Sequence, residues 1–378
     1  MRKTGSHFFA SRSERSRGRE ILINLAVSLG SVVVFLLFCE LVLFRFVLPA
    51  SDVPRNAFVN EVVRYQPGQS GVWRVRDEIA APFKINAQGW NSPLPDYPVA
   101  RKPGTSRVAF VGDSFVEALQ VPFDKSFADV VGARLAAKGP VEIQRFGVAG
   151  APLSQYLQMV EREVEQRRPD QIVVMLVHND FDESFAFKPG RYTSSFLKLR
   201  IEGGKVIGEV APAPWRAGLL EFVRQSATAR FLLYRWQVRP QLLVDAILGP
   251  AKAAGEDGYA ANIDVASVLA QEADIRVATD YLFGRLKARA DAIGARLQLV
   301  MDGDRGAIYA GRSDSPALKL NRISAEMAAK HGIAFLDLHP VFAAEWAKAG
   351  KRFEFSSDAH WNEYGHQVAG AAIAEGLR

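Results

Sequence analysis

From Arg107 to the end of the 378-residue chain, short apolar runs alternate with stretches of helical periodicity. No other feature limits the fold as much. The apolar runs lie at 107–111, 141–147, 171–177, 296–301 and 333–338, and amphipathic stretches such as 127–138, 154–168 and 317–331 come between them or after them. Short buried strands that return through helices pair in parallel, and a parallel sheet needs cover on both faces. The expectation is therefore an α/β protein over residues 106–378. A hydrophobic content of 48% against 23% charged residues fits a globular body with a sizeable core.

The alternation breaks over residues 185–275. A hairpin is expected at 197–207, turning on Gly203 and Gly204. Arg- and Leu-rich helical segments follow around 215–248, then a Gly/Ala-rich link near 250–260. This reads as an insertion between the third and fourth core strands, serving either as a cap over the site or as extra helical packing. Upstream, residues 49–105 are rich in Pro and Gly and read as a connector with some sheet edge, including a turn at Gly89 after a short strand.

The N-terminus sets a different constraint. Ile21 to Leu43 is apolar apart from Asn24, Ser28, Ser31 and Glu40. That is long enough for a helix to cross a hydrocarbon layer of about 30 Å, and residues 21–48 are expected as a transmembrane helix. Residues 1–20 form a basic tail whose six Lys and Arg outnumber two Glu, so most of the net charge of +6 lies there. No nucleic-acid surface is expected on the body. The positive-inside rule keeps the tail in the cytoplasm and exports the rest. The expected location is a single pass through the cytoplasmic (inner) membrane, with the body facing the periplasm or exterior.

A cleaved signal peptide would have an apolar region of about 7–15 residues and a small-x-small site. Leu48-Pro49-Ala50 fits such a site poorly, and Phe38 and Glu40 around Cys39 do not resemble a lipobox. Cys39 is the only cysteine, so the body can have no disulfide framework and no cysteine chemistry.

In open α/β sheets, ligands sit beyond the carboxyl ends of the strands. The first strand ends in Gly112-Asp113-Ser114, where a serine on a strand-to-helix turn faces away from the sheet. Alone, these residues also describe an ordinary N-cap. The second strand ends in a loop carrying Gly150, the third in His178-Asn179-Asp180, the fourth in Asp302-Gly303-Asp304. Ser357 to Asn362, with Asp358, His360 and Trp361, comes just before the terminal helix.

Serine becomes a useful nucleophile when histidine takes its proton, and a carboxylate fixes the imidazole tautomer. The backbone N–H groups of Ser114 and Gly150 and the Asn179 amide can donate to an oxyanion. The expected catalytic set is Ser114, His360 and Asp358. His178, Asp302 and Trp361 are candidate substrate contacts. Asp302 and Asp304 could equally be solvated carboxylates, and Asp113 and Asp180 read as local anchors of their loops. His7, His331, His339 and His366 read as structural or solvated.

These residues, in this order, resemble the SGNH or GDSL-type hydrolase superfamily, with Ser114, Gly150, Asn179 and His360 matching its four signature residues. The resemblance spans about residues 107–377, outside the insertion. It implies a flavodoxin-like three-layer α/β/α sandwich with a five-stranded parallel sheet, and ester or acyl-transfer chemistry. Two positions depart from the family pattern. Asp358 and His360 are separated by one residue where two are usual, and Val177 stands where a glycine is usual. Asp358-Ala-His360-Trp361 also resembles a segment of alginate-type O-acetyltransferases, periplasmic relatives that modify exopolysaccharide.

The expected function is therefore serine-dependent ester hydrolysis, or transfer of an acyl (acetyl) group, on a cell-envelope or exported carbohydrate. The alternative is a membrane-anchored, non-catalytic polysaccharide-binding or assembly protein on the same fold. Gly-x-Ser-x-Gly fails because Val116 holds its last position, and no phosphate-binding loop or dinucleotide fingerprint follows a strand. Zinc would need three or four convergent ligands. Neither cofactor nor metal is expected, and protein partners and oligomeric state stay open.

Overall fold

The structure is a computed structural model, described over residues 10–186, 193–215, 218, 223–238, 259–260 and 263–377. The chain forms two compact units, residues 1–51 with 218–238, and residues 52–217 with 239–378.

The larger unit is built on five strands, β1 (Ser106–Gly112), β2 (Val141–Gly147), β3 (Gln171–Leu176), β4 (Arg296–Met301) and β5 (Ala334–Asp337). They pair in parallel in the order β2-β1-β3-β4-β5. This is the doubly wound order whose switch point falls between β1 and β3. Gly112 stands opposite Gly147, and Met301 opposite both Leu176 and Asp337, so the carboxyl ends share one edge of the sheet.

Six helices cover the sheet, namely α1 (Phe127–Ala136), α2 (Leu153–Met159), α3 (Glu272–Ala292), α4 (Lys319–Lys330), α5 (Leu338–Ala349) and α6 (Glu363–Gly376). Alternate side chains of a strand point to opposite faces, and the core divides accordingly. Val108, Phe110, Val173, Met175 and Val300 pack with α1, α5 and α6. Ala109, Val111, Ile172, Val174, Leu299 and Met301 pack with α2, α3 and α4. Burying a side chain such as Phe110 contributes about 1.5–3 kcal/mol. Local signals set the helix starts. Ser126 Oγ accepts the Asp129 N–H ahead of α1 (3.3 Å), and Asn362 Oδ1 accepts the Gly365 N–H ahead of α6 (3.0 Å).

Residues 52–105 differ from the expected sheet edge. Asn56–Val59 pairs with Val62–Tyr65, and Ser70–Val75 with Ile79–Lys84, as two antiparallel hairpins outside the central sheet. Each strand finds its partner one turn away, so none adds to β2 or β5. The region is packed into the body, since Val62, Val63, Trp90 and Tyr97 lie buried in the same core as α2 and α3.

In the insertion, the hairpin forms with strands Lys198–Glu202 and Lys205–Val210. Gly203 and Gly204 take positive φ angles of 56° and 71°, as a two-residue hairpin turn requires. The hairpin packs against helices rather than over the strand ends. The Leu197 N–H donates to Gln155 Oε1 of α2 (2.9 Å), and the Tyr281 hydroxyl of α3 donates to Glu209 Oε1 (2.9 Å). The crossover helix α3 begins at Glu272, just inside the expected insertion. Residues 239–258, with most of the expected Gly/Ala link, lie outside the described residues.

The smaller unit contains the helix Ala10–Phe38, continued by π-helical turns over Cys39–Val47. Its stretch Arg17–Val47 is long and apolar enough to cross a membrane, with none of its most apolar window buried. Ala227–Arg230 forms a short helix in the same unit, continued by π-helical turns over Phe231–Arg235.

Candidate active site

Ser114 opens a one-turn helix, Ser114–Glu117, directly after β1. Asp113 precedes it and folds back, its Oδ1 accepting the Phe115 N–H (2.9 Å) while Oδ2 accepts from the Ser114 hydroxyl (3.2 Å). The turn rests on β2 so closely that a Cβ on Gly147 would lie 2.3 Å from the Glu117 nitrogen and 2.9 Å from the Asp113 carbonyl oxygen. The site therefore needs a glycine at position 147.

Across the sheet edge, His360 Nε2 lies 2.8 Å from Ser114 Oγ. Its Nδ1 is 2.5 Å from Asp358 Oδ1, which also accepts the His360 backbone N–H at 2.9 Å. The Asx turn thus lets one oxygen hold both backbone and ring, so a single intervening residue suffices. Asp358 and His360 keep side-chain exposures of 11% and 24%, enough for a reactant to reach them.

The electrostatics favour a base at position 360. Burial is the largest influence on His360 and lowers its pKa, but the hydrogen bond and charge of Asp358, helped by Asp113, reverse this and raise it. Asp358 moves the other way. Burial would raise its pKa, yet the contacts with His360 hold it below the usual range. Asp113 is raised, chiefly by burial. Asp180 is raised further, by burial and then by the nearby Asp113, while its oxygens bind the Val177 N–H and the Tyr156 hydroxyl, each at 2.8 Å.

Asn179 is partly exposed at the end of β3. It lines a cleft of about 290 Å³ together with Phe115, His178, Asp302, Arg305 and Ala359. Val177, at the expected glycine position, adopts an ordinary extended backbone (φ −126°, ψ 164°), so no glycine is required there. Gly150, at φ +74°, is exposed in the loop after β2, beside the strand that delivers Ser114. The neighbouring Ala149 N–H is held by the buried Glu117 carboxyl, whose pKa burial pushes well up.

Three candidate contacts have different placements. Asp302 lines the cleft, and its Oδ1 accepts from the Gly303 N–H (2.8 Å) and the Trp361 indole (3.2 Å). His178 borders the cleft but is 1% exposed, with Nε2 bonded to Asn321 Oδ1 at 3.0 Å. Burial lowers its pKa. Trp361 is fully buried among Phe115, Phe127 and Phe342, which leaves no surface for a substrate; it supports Asp302 and the floor beneath His360 instead.

Arg305 escaped the sequence reading. Its Nη2 donates to the Ala359 carbonyl (2.9 Å), and its guanidinium lies 5.8 Å from the centre of the Phe115 ring, joining the loops that carry Ser114 and His360. Its place just after the fourth strand was the available signal. Glu78, from the supposed connector, accepts the Ser356 and Ser357 N–H groups, both at 2.8 Å, and so fixes the loop carrying Asp358 and His360.

A doubly wound sheet with a serine, histidine and carboxylate in hydrogen-bonded sequence at its switch point defines a hydrolase of the SGNH type. Residues 110–368 match the model of the GDSL-like lipase/acylhydrolase family. The chain belongs to that family and is an SGNH-type esterase.

Among solved structures it is similar to an α/β hydrolase enzyme from the metagenome of Lake Arreo, Spain (13% identity, TM-score 0.40), over 72% of this chain and 95% of that one. It is also similar to a lipase/acylhydrolase from Enterococcus faecalis (14% identity, TM-score 0.37), with the same two coverages. A third, an acetyl-xylooligosaccharide esterase from a Geobacillus, shows 12% identity and a TM-score of 0.40 over 73% of this chain and 95% of that chain. At these scores the likeness says nothing about substrate. No curated protein matches the chain.

Proposed function

We propose that the protein is a membrane-anchored serine esterase that removes, or passes on, an acyl group on a carbohydrate outside the cytoplasmic membrane. Ser114 Oγ attacks the ester carbonyl as His360 Nε2 takes the hydroxyl proton. Asp358 keeps the ring in the required tautomer and stabilises the imidazolium. The N–H groups of Ser114 and Gly150 and the Asn179 amide receive the oxyanion, where losing one donor typically costs roughly 10²–10³ in rate. The tetrahedral intermediate collapses, His360 returns the proton to the departing alcohol, and the acyl group stays on Ser114. Water, activated by the same histidine, then releases the acid; a sugar hydroxyl in its place would make a new ester.

The observation that carries this reading is the 2.8 Å contact of Ser114 with a histidine already bonded to Asp358. A passive binding protein would have no use for that alignment. The carbohydrate setting rests on the Asp-x-His-Trp resemblance and on a cleft walled by polar groups such as Asn179, Asp302 and Arg305. The apolar helix and its basic flank support an anchor with the N-terminus inside.

The test is hydrolysis of p-nitrophenyl acetate by the purified full-length protein. Ser114→Ala should reduce turnover to the uncatalysed background while leaving the fold intact. Retained turnover would overturn the assignment.

A further inference from the structure

Glu40 stands near the far end of the apolar helix, where a carboxylate facing lipid alone would be costly. Starting from Ile21, a rise of about 1.5 Å per residue puts Glu40 about 28 Å along the helix, close to the outer limit of a hydrocarbon layer of about 30 Å. The structure gives it partners from far along the chain. Its carboxylate accepts from the Ser226 hydroxyl (2.7 Å) and from the Ala227 (2.8 Å) and Thr228 (3.0 Å) N–H groups, which are otherwise unpaired at the start of the helix Ala227–Arg230. Arg45 Nη2 donates to the same carboxylate at 3.2 Å.

Further contacts fasten the same segment to the same place. The rings of Phe44 and Phe231 stack at 4.1 Å. Arg235 donates to the Pro49 carbonyl (2.7 Å) and Arg230 to the Ser51 carbonyl (2.9 Å), where the chain leaves the apolar helix. With those groups turned inward, Leu232 and Trp236 remain 43% and 45% exposed. Leu232 lies in the π-helical turn Phe231–Arg235, and Trp236 is the residue that caps it. Leu41, Phe46 and Val47, at the end of the apolar helix, are exposed as well.

An apolar face with tryptophan and arginine, at the end of a membrane span, has the composition of an interfacial helix. We propose that residues 223–238 lie in the outer headgroup–acyl boundary of the bilayer, with Leu232 and Trp236 against lipid and Glu40 as the clamp that holds them there. The occupant of this face is the phospholipid surface. The proposal rests on the anchor reading above, and it gives the inserted part of the chain a second attachment to the membrane.

The experiment uses the full-length chain with Cys39→Ser, reconstituted in phosphatidylcholine/phosphatidylglycerol vesicles. A single environment-sensitive NBD label is placed through Leu232→Cys or, as the control for the span, through Val33→Cys. Ester turnover by each labelled protein reports that it is folded. Lipids carrying a doxyl quencher near the headgroup should remove most of the emission at position 232, and quenchers deep in the acyl chain should do so at position 33. Adding Glu40→Ala should release position 232 from the shallow quencher and leave position 33 unchanged. Quenching at 33 without quenching at 232 would overturn the interfacial helix and leave the anchor standing. Quenching at neither position would overturn the anchor, and the interfacial helix with it.

Discussion

His360 has opposing influences on its charge, and their balance decides how the site works. Burial favours the neutral ring, whereas Asp358, bonded to Nδ1 at 2.5 Å, favours the charged one and prevails with Asp113. A general base must be neutral in the free enzyme, so kcat/KM should fall as the pH drops through a value above the ordinary 6.5 of histidine. Asp358→Asn removes the raising influence, so the acid limb should move to lower pH while kcat falls by about 10⁴. A pH profile of ester hydrolysis reads both effects. An unmoved limb would show that Asp358 does not govern His360. At this scale the contact of Ser114 with His360 and Asp358 was legible, because the first follows a strand and the others precede the last helix. Trp361 was misread because sequence order does not say which way a side chain turns, and here it points into the aromatic cluster with Phe115 and Phe342.

The Ser114 turn depends on how two strands and a one-turn helix fit together. Gly147 closes β2 against the backbone of Asp113, Val116 and Glu117, atoms that cannot swing aside. Gly147→Ala should therefore shift the Ser114 turn, lowering stability by about 1–3 kcal/mol and removing most activity. Thermal unfolding beside ester turnover checks it; a variant with unchanged Tm and rate would refute the close fit. The strands were legible because continuous apolar runs such as Val108–Val111 and Ile172–Leu176 mark buried parallel strands. The hairpins of residues 56–84 were not, since their strands are only four to six residues long and their packing with Trp90 and Tyr97 is a tertiary fact. The regular part of α2 ends at Met159, and the expected helix continues to Arg167 through π-helical and 3₁₀ turns.

For the whole molecule, the segment before the sheet is part of the esterase body. The buried pair Arg64–Glu163 (2.8 Å) ties it to the helical turns after α2, the Asn91 amide donates to the Glu117 carbonyl (2.8 Å), and Glu78 holds the histidine loop. No described residue of 185–275 lines the cleft of Phe115, Asn179 and Asp302. One stretch of that insertion instead joins the N-terminal helix in its own unit, a long-range pairing that no local pattern encodes.

All of these features serve one claim, that Ser114 forms a covalent acyl-enzyme. Mass spectrometry after treatment with a fluorophosphonate tests it most directly, since the reagent loses fluoride only to an activated nucleophile. The full-length protein should gain a single phosphonyl group on the peptide containing Ser114, lose ester turnover in step, and gain none as Ser114→Ala. An active protein that stays unmodified, or carries the adduct on another residue, would contradict the account.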